Sequence, residues 1–272
     1  MRTKTQHILE KGSGRINEDT LFIGDDIFGV FDGATSLDNA LYDGTKTGGM
    51  LASSIACSVF STNCHPLVDL AITANRSIHK KMQLHGVDCS ARERLWSTSA
   101  AVVRISEGGI EWLQTGDAFI LLIYNDHTYK LLSEKEDHDF PTLSAWKQIA
   151  AKSVLPIHEA LKERLRQTRR GMNRSYGVLN GEKEAEAFLK TGLESSSGVK
   201  DIILATDGLS MPVEKPEKEK NFDLFVERYL RFGLEGLKDH IREIEKEDPR
   251  CIRYPRFKCH DDIAAISIQP LH

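Results

Sequence analysis

No stretch of this sequence is apolar for long enough to cross a bilayer. The longest strongly apolar run, "AFILLIY" at 118–124, has seven residues, and a membrane-spanning helix needs about 20. The opening "MRTKTQHILEKGSG" lacks an apolar core of signal-peptide length, so the expected location is cytoplasmic and no membrane partner is expected. Cysteine is scarce. Cys57, Cys64, Cys89, Cys251 and Cys259 are odd in number and form no CxxC pair. That argues against a disulfide framework or a zinc ribbon and suits a reducing compartment. His79, His85 and Cys89 lie close in sequence, but after a helix-like segment, and read as a solvated helix end. A basic excess is missing too. Lys plus Arg number 36 against 40 Asp plus Glu, a net charge of −4, which argues against a nucleic-acid partner.

What is present suits one large globular unit. The chain has 272 residues, 40% of them hydrophobic and 28% charged, enough apolar side chain for a sizeable core. No internal repeat or linker interrupts it, so a single domain over 1–272 is expected. Three charge-rich stretches, 133–139, 214–220 and 242–250, read as solvated loop or helix surface.

Short strand patterns recur. The runs at 20–24 and 27–31 flank Asp25-Asp26 and predict a hairpin. Those at 98–105, 109–115, 118–124 and 128–133 predict a meander. Further strands are expected at 175–181, 201–206 and 263–269. Helical spacing places Leu67, Leu70, Ala71, Ala74 and Ile78 on one face, after a first-turn Pro66. Phe222, Phe225, Val226, Tyr229 and Leu230 make a second stripe. The segment 47–60 is apolar nearly all round, and 142–170 is helical with a break near Pro156. Antiparallel strands interspersed with helices predict an α+β fold, its sheets packed on each other and covered by helices.

The informative pattern is where the acids fall. "FGVFDGATS" ends an apolar run at Asp32-Gly33, and "DIILATDGLS" ends another at Asp207-Gly208. Asp117 lies between two apolar strands. Asp261 and Asp262 precede a strand, as do Glu18 and Asp19 in "GRINEDT". An Asp-Gly pair alone is most simply a turn. Several such acids at the ends of adjacent strands would repel one another unless cations intervene. Hard carboxylate oxygens favour Mg²⁺ or Mn²⁺.

The series "NEDT", "VFDGATS", "STSAAVV", "TGDAFILL", "LATDGLS" and "HDDIAAISI" resembles, in order and across nearly the whole chain, the metal-dependent protein serine/threonine phosphatases of type 2C in a compact bacterial-style form. The resemblance implies a four-layer α-β-β-α sandwich with two central, mainly antiparallel sheets. It implies two Mn²⁺ or Mg²⁺ ions and a weaker third. Asp32 would bridge the pair, the Gly33 carbonyl would bind one ion, and Asp207 and Asp261 would complete the other. Glu18 would act directly or through metal-bound water, with Asp19 supporting it. Asp117 with Asp207 would hold the third ion. Asp262, beside Asp261, is the competing choice of ligand. Arg15 would clamp the substrate phosphate, although its spacing to Glu18 is one residue short of the family pattern. The implied partner is a phosphorylated protein, opposing a serine/threonine kinase, with the phosphatase acting as a monomer. The segment 137–172, basic near Arg164–Arg170, reads either as an ordinary surface helix or as a helical flap favouring acidic phosphosubstrates.

One departure concerns the proton. Relatives commonly read Asp-Gly-His-Gly where this chain has Asp32-Gly33-Ala34-Thr35. The histidine usually assigned as general acid is absent, leaving Thr35 or water to serve. Two other readings compete. An aspartate-nucleophile phosphatase would want a second Asp at position 34, which is Ala. A catalytically degenerate member would bind phosphoproteins or regulate a partner. A thiol phosphatase is excluded because no cysteine has a Cys-x5-Arg context.

Overall fold

A computed structural model describes residues 2–37, 40–132, 138–216 and 222–271. Its strands form two five-stranded antiparallel sheets. One contains β1 (Arg2–Glu10), β10 (Ile263–Leu271), β9 (Val199–Ala205), β6 (Phe119–Tyr124) and β7 (Tyr129–Leu131), in that order. The other runs β2 (Thr20–Ile23), β3 (Ile27–Gly33), β4 (Thr98–Ser106), β5 (Gly109–Thr115) and β8 (Lys190–Glu194).

The strands are apolar on both faces because both faces are covered. Phe28 and Val30 of β3 point toward the other sheet, meeting Ile120, Leu122, Leu204 and Ile266 in an inter-sheet core. Their neighbours Ile27 and Phe31 point the other way, onto α1 (Gly48–Phe60) and α2 (Leu67–Leu84). On the far side, Phe119, Leu121, Ile203 and Ala265 pack against α6 (Phe222–Glu247), which is broken at Gly233 (φ 72°). The result is helix, sheet, sheet, helix, as expected.

Three further helices, α3 (Phe140–Ile149), α4 (Ile157–Ala160) and α5 (Lys162–Arg170), occupy the expected helical segment with its break before Ile157. Trp146, Ala150 and Ile157 form a small separate core with Ile252 and Phe257. Trp146 Nε1 donates to the Cys251 carbonyl at 2.8 Å, tying this helical cap to the loop before β10.

Several expectations need correction. The meander does not form, because β5 pairs with β8 and β6 with β9, in different sheets. The turn at Gly116 (φ 76°) carries the chain across. The segment 175–181 is irregular, touched only by isolated bridges, Thr98 to Leu179 and Met172 to Tyr176, among the described residues. Pro66 precedes α2 as its N-cap instead of lying in its first turn. Strands β1 and β8 were not expected at all. The stretch 242–250 is solvated on one side only: Glu243, Lys246, Glu247 and Arg250 are exposed, but Arg242, Glu245 and Asp248 are buried. Of the other charge-rich stretches, 133–137 and 217–220 lie outside the described residues.

Candidate metal and phosphate site

Antiparallel order brings the ends of β3 and β9 and the starts of β2, β6 and β10 to one rim. Each contributes an acid. Asp32 is the penultimate residue of β3, Asp19 precedes β2, and Asp117 follows Gly116 just before β6. Asp207 opens a short 3-10 turn after β9, and Asp261 precedes β10. Glu18, Asp32, Gly33, Asp117, Asp207 and Asp261 all line one cavity of about 960 Å³, together with Arg15.

The carboxylates feel one another. Burial, then the charges of Asp19, Asp207, Asp117 and Asp261, holds the Asp32 carboxyl well above the usual range. Asp19 is raised in the same way, by burial first and then by Asp261, Asp262 and Asp207, against a hydrogen bond from Thr206. Asp19 Oδ2 is buried with no hydrogen-bond partner among the described residues. A buried, unanswered carboxylate oxygen among like charges is costly unless a cation neutralises it. The donor set is all oxygen, so it fits Mg²⁺ or Mn²⁺.

Two Asp-Gly pairs frame the rim, and neither glycine is there for a positive φ. A Cβ on Gly33 would lie 2.3 Å from the Glu18 carbonyl oxygen and 2.6 Å from that of Gly49. One on Gly208 would lie 1.9 Å from the Asp262 carbonyl oxygen. The glycines permit backbones to touch where strand ends converge.

Glu18 and Asp19 face different partners. Glu18 accepts hydrogen bonds from the Thr35 and Thr47 hydroxyls. Thr47 is the N-cap of α1 and accepts from Met50 N at 3.2 Å. Glu18 is thereby fixed to the first turn of α1, while Asp19 turns into the acid cluster. Asp261 and Asp262 divide as clearly. Asp262 is 3% exposed and accepts the Gly12 and Glu18 backbone N–H groups at 2.7 and 2.9 Å. It clamps the chain before β2. Asp261 lines the cavity and pairs with Lys258. Arg15 is exposed on the cavity wall.

Sequence reasoning passed over three residues at this rim. Lys258 Nζ lies 2.7 Å from Asp261 Oδ1. His138 and Asp139, assigned to a solvated stretch, line the cavity beside Asp117. A strand followed by "DHD" was the available signal. The basic residues at 164–170 are largely engaged within the fold. Arg169 donates to the Thr35 carbonyl at 2.8 Å, and Arg170 pairs with Glu93.

Comparison with known families decides the assignment. The protein phosphatase 2C family description matches residues 12–244. The chain belongs to the protein phosphatase 2C family. On that membership it is a phosphatase. A search of curated sequences finds no significant match. Among solved structures, the Mycobacterium tuberculosis serine/threonine phosphatase PstP/Ppp superposes with a TM-score of 0.62 at 14% identity, covering 100% of both chains. The PstP catalytic domain in complex with two manganese ions gives 0.59 at 14% identity, covering 98% of this chain and 97% of that one. Stp1 from Staphylococcus aureus gives 0.59 at 13%, covering 100% and 96%. These likenesses establish the fold. Among the described residues no helix is long and apolar enough to cross a membrane.

Proposed function

We propose that this protein phosphatase 2C member removes phosphate from phosphoserine and phosphothreonine in proteins, using Mn²⁺ or Mg²⁺ held by the acid rim. The observation that carries the reading is the convergence of Asp32, Asp117, Asp207 and Asp261 on one cavity, with buried Asp19 beside Asp32 and its Oδ2 unanswered among the described residues. Asp32, central in this charge, would be shared by two ions, with the Gly33 carbonyl serving one and Asp207 and Asp261 the other. When bound, such ions bind phosphate oxygens and make a water nucleophilic near neutral pH.

The chain's own groups prepare that site. Asp262 holds the Glu18 backbone, and Thr35 and Thr47 orient the Glu18 carboxylate, so it is pre-set before substrate arrives. Arg15 supplies a guanidinium on the cavity wall for the phosphate oxygens. Ala34 offers no proton, and the Thr35 hydroxyl proton is already committed to Glu18 Oε2. The leaving alkoxide would then take its proton from water in the cavity. The reading includes a single domain acting as a monomer in the cytoplasm, opposing a serine/threonine kinase.

The degenerate, phosphoprotein-binding alternative is not favoured, because the carboxylate set is intact. Turnover of p-nitrophenyl phosphate with and without Mn²⁺ tests the proposal. Mn²⁺-dependent hydrolysis lost in Asp32→Asn is expected. Folded, metal-loaded protein without turnover would overturn it.

A further inference from the structure

Asp117 has a second set of neighbours besides the carboxylate rim. Its Oδ1 accepts the Ser99 hydroxyl at 2.6 Å. Its Oδ2 lies 4.0 Å from His138 Nε2, and the same nitrogen lies 3.7 Å from Asp139 Oδ1. One ligand atom from each of the three residues falls within 4.8 Å of the others. These separations are too long for hydrogen bonds. They are close to what an intervening ion sets, since ligands at about 2.1 Å from a metal stand roughly 3–4 Å apart.

Two further features argue against an accidental cluster. The His138 ring lies flat on Tyr176, with centroids 3.8 Å apart and planes within 3°. Stacking therefore fixes the direction in which the imidazole points, while its Nδ1 is buried with no hydrogen-bond partner among the described residues. Asp139 stands at the N-cap position of α3, and this helix start brings its Oδ1 to 3.7 Å from His138 Nε2.

We propose that Asp117, His138 and Asp139 form a metal site with a nitrogen ligand, distinct in chemistry from the all-oxygen rim. Two carboxylates and an imidazole favour a borderline transition ion such as Zn²⁺ or Co²⁺ over Mg²⁺. The site opens on the same cavity, so an ion can reach it from solvent. It joins the sheet rim, through Asp117, to the start of α3, through His138 and Asp139. Occupancy would pin the helical cap of α3–α5 over the cavity. The proposal shares only Asp117 with the ligands of the preceding reading, so the two can fail separately.

The test uses the full chain carrying Asp32→Asn, which disables the rim. Zn²⁺ is titrated calorimetrically into this protein and into the same protein with His138→Phe, a ring that keeps the Tyr176 stack and removes the nitrogen. Co²⁺ absorption in the visible region gives a second readout. One Zn²⁺ equivalent in the first protein, weakened at least tenfold by His138→Phe, is expected. Equal binding in both, or none in the first, overturns the proposal. Should the Phe variant fail to fold, ¹⁵N NMR of the His138 imidazole decides. A Zn²⁺-induced shift in the Asp32→Asn protein supports the site, and an unmoved signal at saturating Zn²⁺ overturns it. Mn²⁺ binding by the unsubstituted chain, abolished by Asp207→Asn, reports on the rim and is independent of either result.

Discussion

Lys258 Nζ sits 2.7 Å from Asp261 Oδ1, a tethered cation inside a cluster of acids. Burial alone would lower the ammonium's pKa. The charge and hydrogen bond of Asp261, with the charges of Asp262 and Glu18, outweigh that and hold it above the ordinary lysine range. Lys258 thus neutralises part of the charge that would attract a divalent ion. Replacing it with Met, which keeps most of the stem, should tighten Mn²⁺ binding about fivefold. That is modest beside the unscreened attraction of two unit charges, because the cavity opens to solvent, which screens them. Calorimetric titration of metal-free protein checks it, and weaker binding in the variant would refute this role for Lys258.

Asp32→Asn should separate stability from function. In the metal-free protein the Asp32 carboxyl is raised well above 3.8 by burial and by four neighbouring aspartates. A carboxylate whose folded pKa is raised favours the fold below its unfolded pKa and loses that contribution as pH rises through the folded value. The amide carries no such charge. The metal-free variant should therefore melt higher than the metal-free parent, with a gap that widens as pH rises. Mn²⁺ should raise the melting temperature of the parent and not of the variant. Paired melting curves with a chelator and with Mn²⁺ measure both effects.

Asp261 and Asp262, adjacent in sequence, should respond oppositely to the same change. Asp262→Asn places an amide NH₂ or a weaker acceptor opposite the Gly12 and Glu18 N–H groups it now accepts. A loss of about 1–3 kcal/mol is expected in urea unfolding, the cost of leaving a buried partner unsatisfied. Asp261→Asn gives up the Lys258 ion pair but relieves repulsion among the acids, so it should cost less stability than Asp262→Asn and weaken Mn²⁺ binding tenfold or more. The reverse pattern would exchange their roles.

Much of this rim could be read in the sequence because its cause is local. An apolar run stopping at an acid, repeated at Asp32 and Asp207, is a property of a few adjacent residues. The layer order was legible for the same reason, since strands apolar on both faces must be covered on both. What escaped depends on distant partners. β1 is mostly polar along its length and is a strand because it pairs with β10 from residue 2 to residue 10. β8 is a partly exposed edge strand whose register is set by β5. His138 and Asp139 looked like solvated charge until the chain brought them beside Asp117.

The buried charges of α6 likewise depend on partners distant in sequence. "REIEKEDPR" reads as solvated, yet Arg242 is 7% and Glu245 4% exposed. The guanidinium donates to Glu10 and Glu245 at 2.8 Å each and to the Asp261 carbonyl at 2.7 Å. His260 Nδ1 lies 2.8 Å from the same Glu245 carboxylate. The charges are tolerated inside because they answer one another. Arg242→Met would leave Glu245 buried without its main partner, so a loss of about 3 kcal/mol is expected. The double variant Arg242→Met, Glu245→Met removes both charges and should lose less than the single one. Because Arg242 also holds the Asp261 backbone, both variants should bind Mn²⁺ more weakly than the parent. Urea unfolding and Mn²⁺ titration of the three proteins distinguish this from a purely structural role, which would lower stability and leave the affinity of the folded protein unchanged.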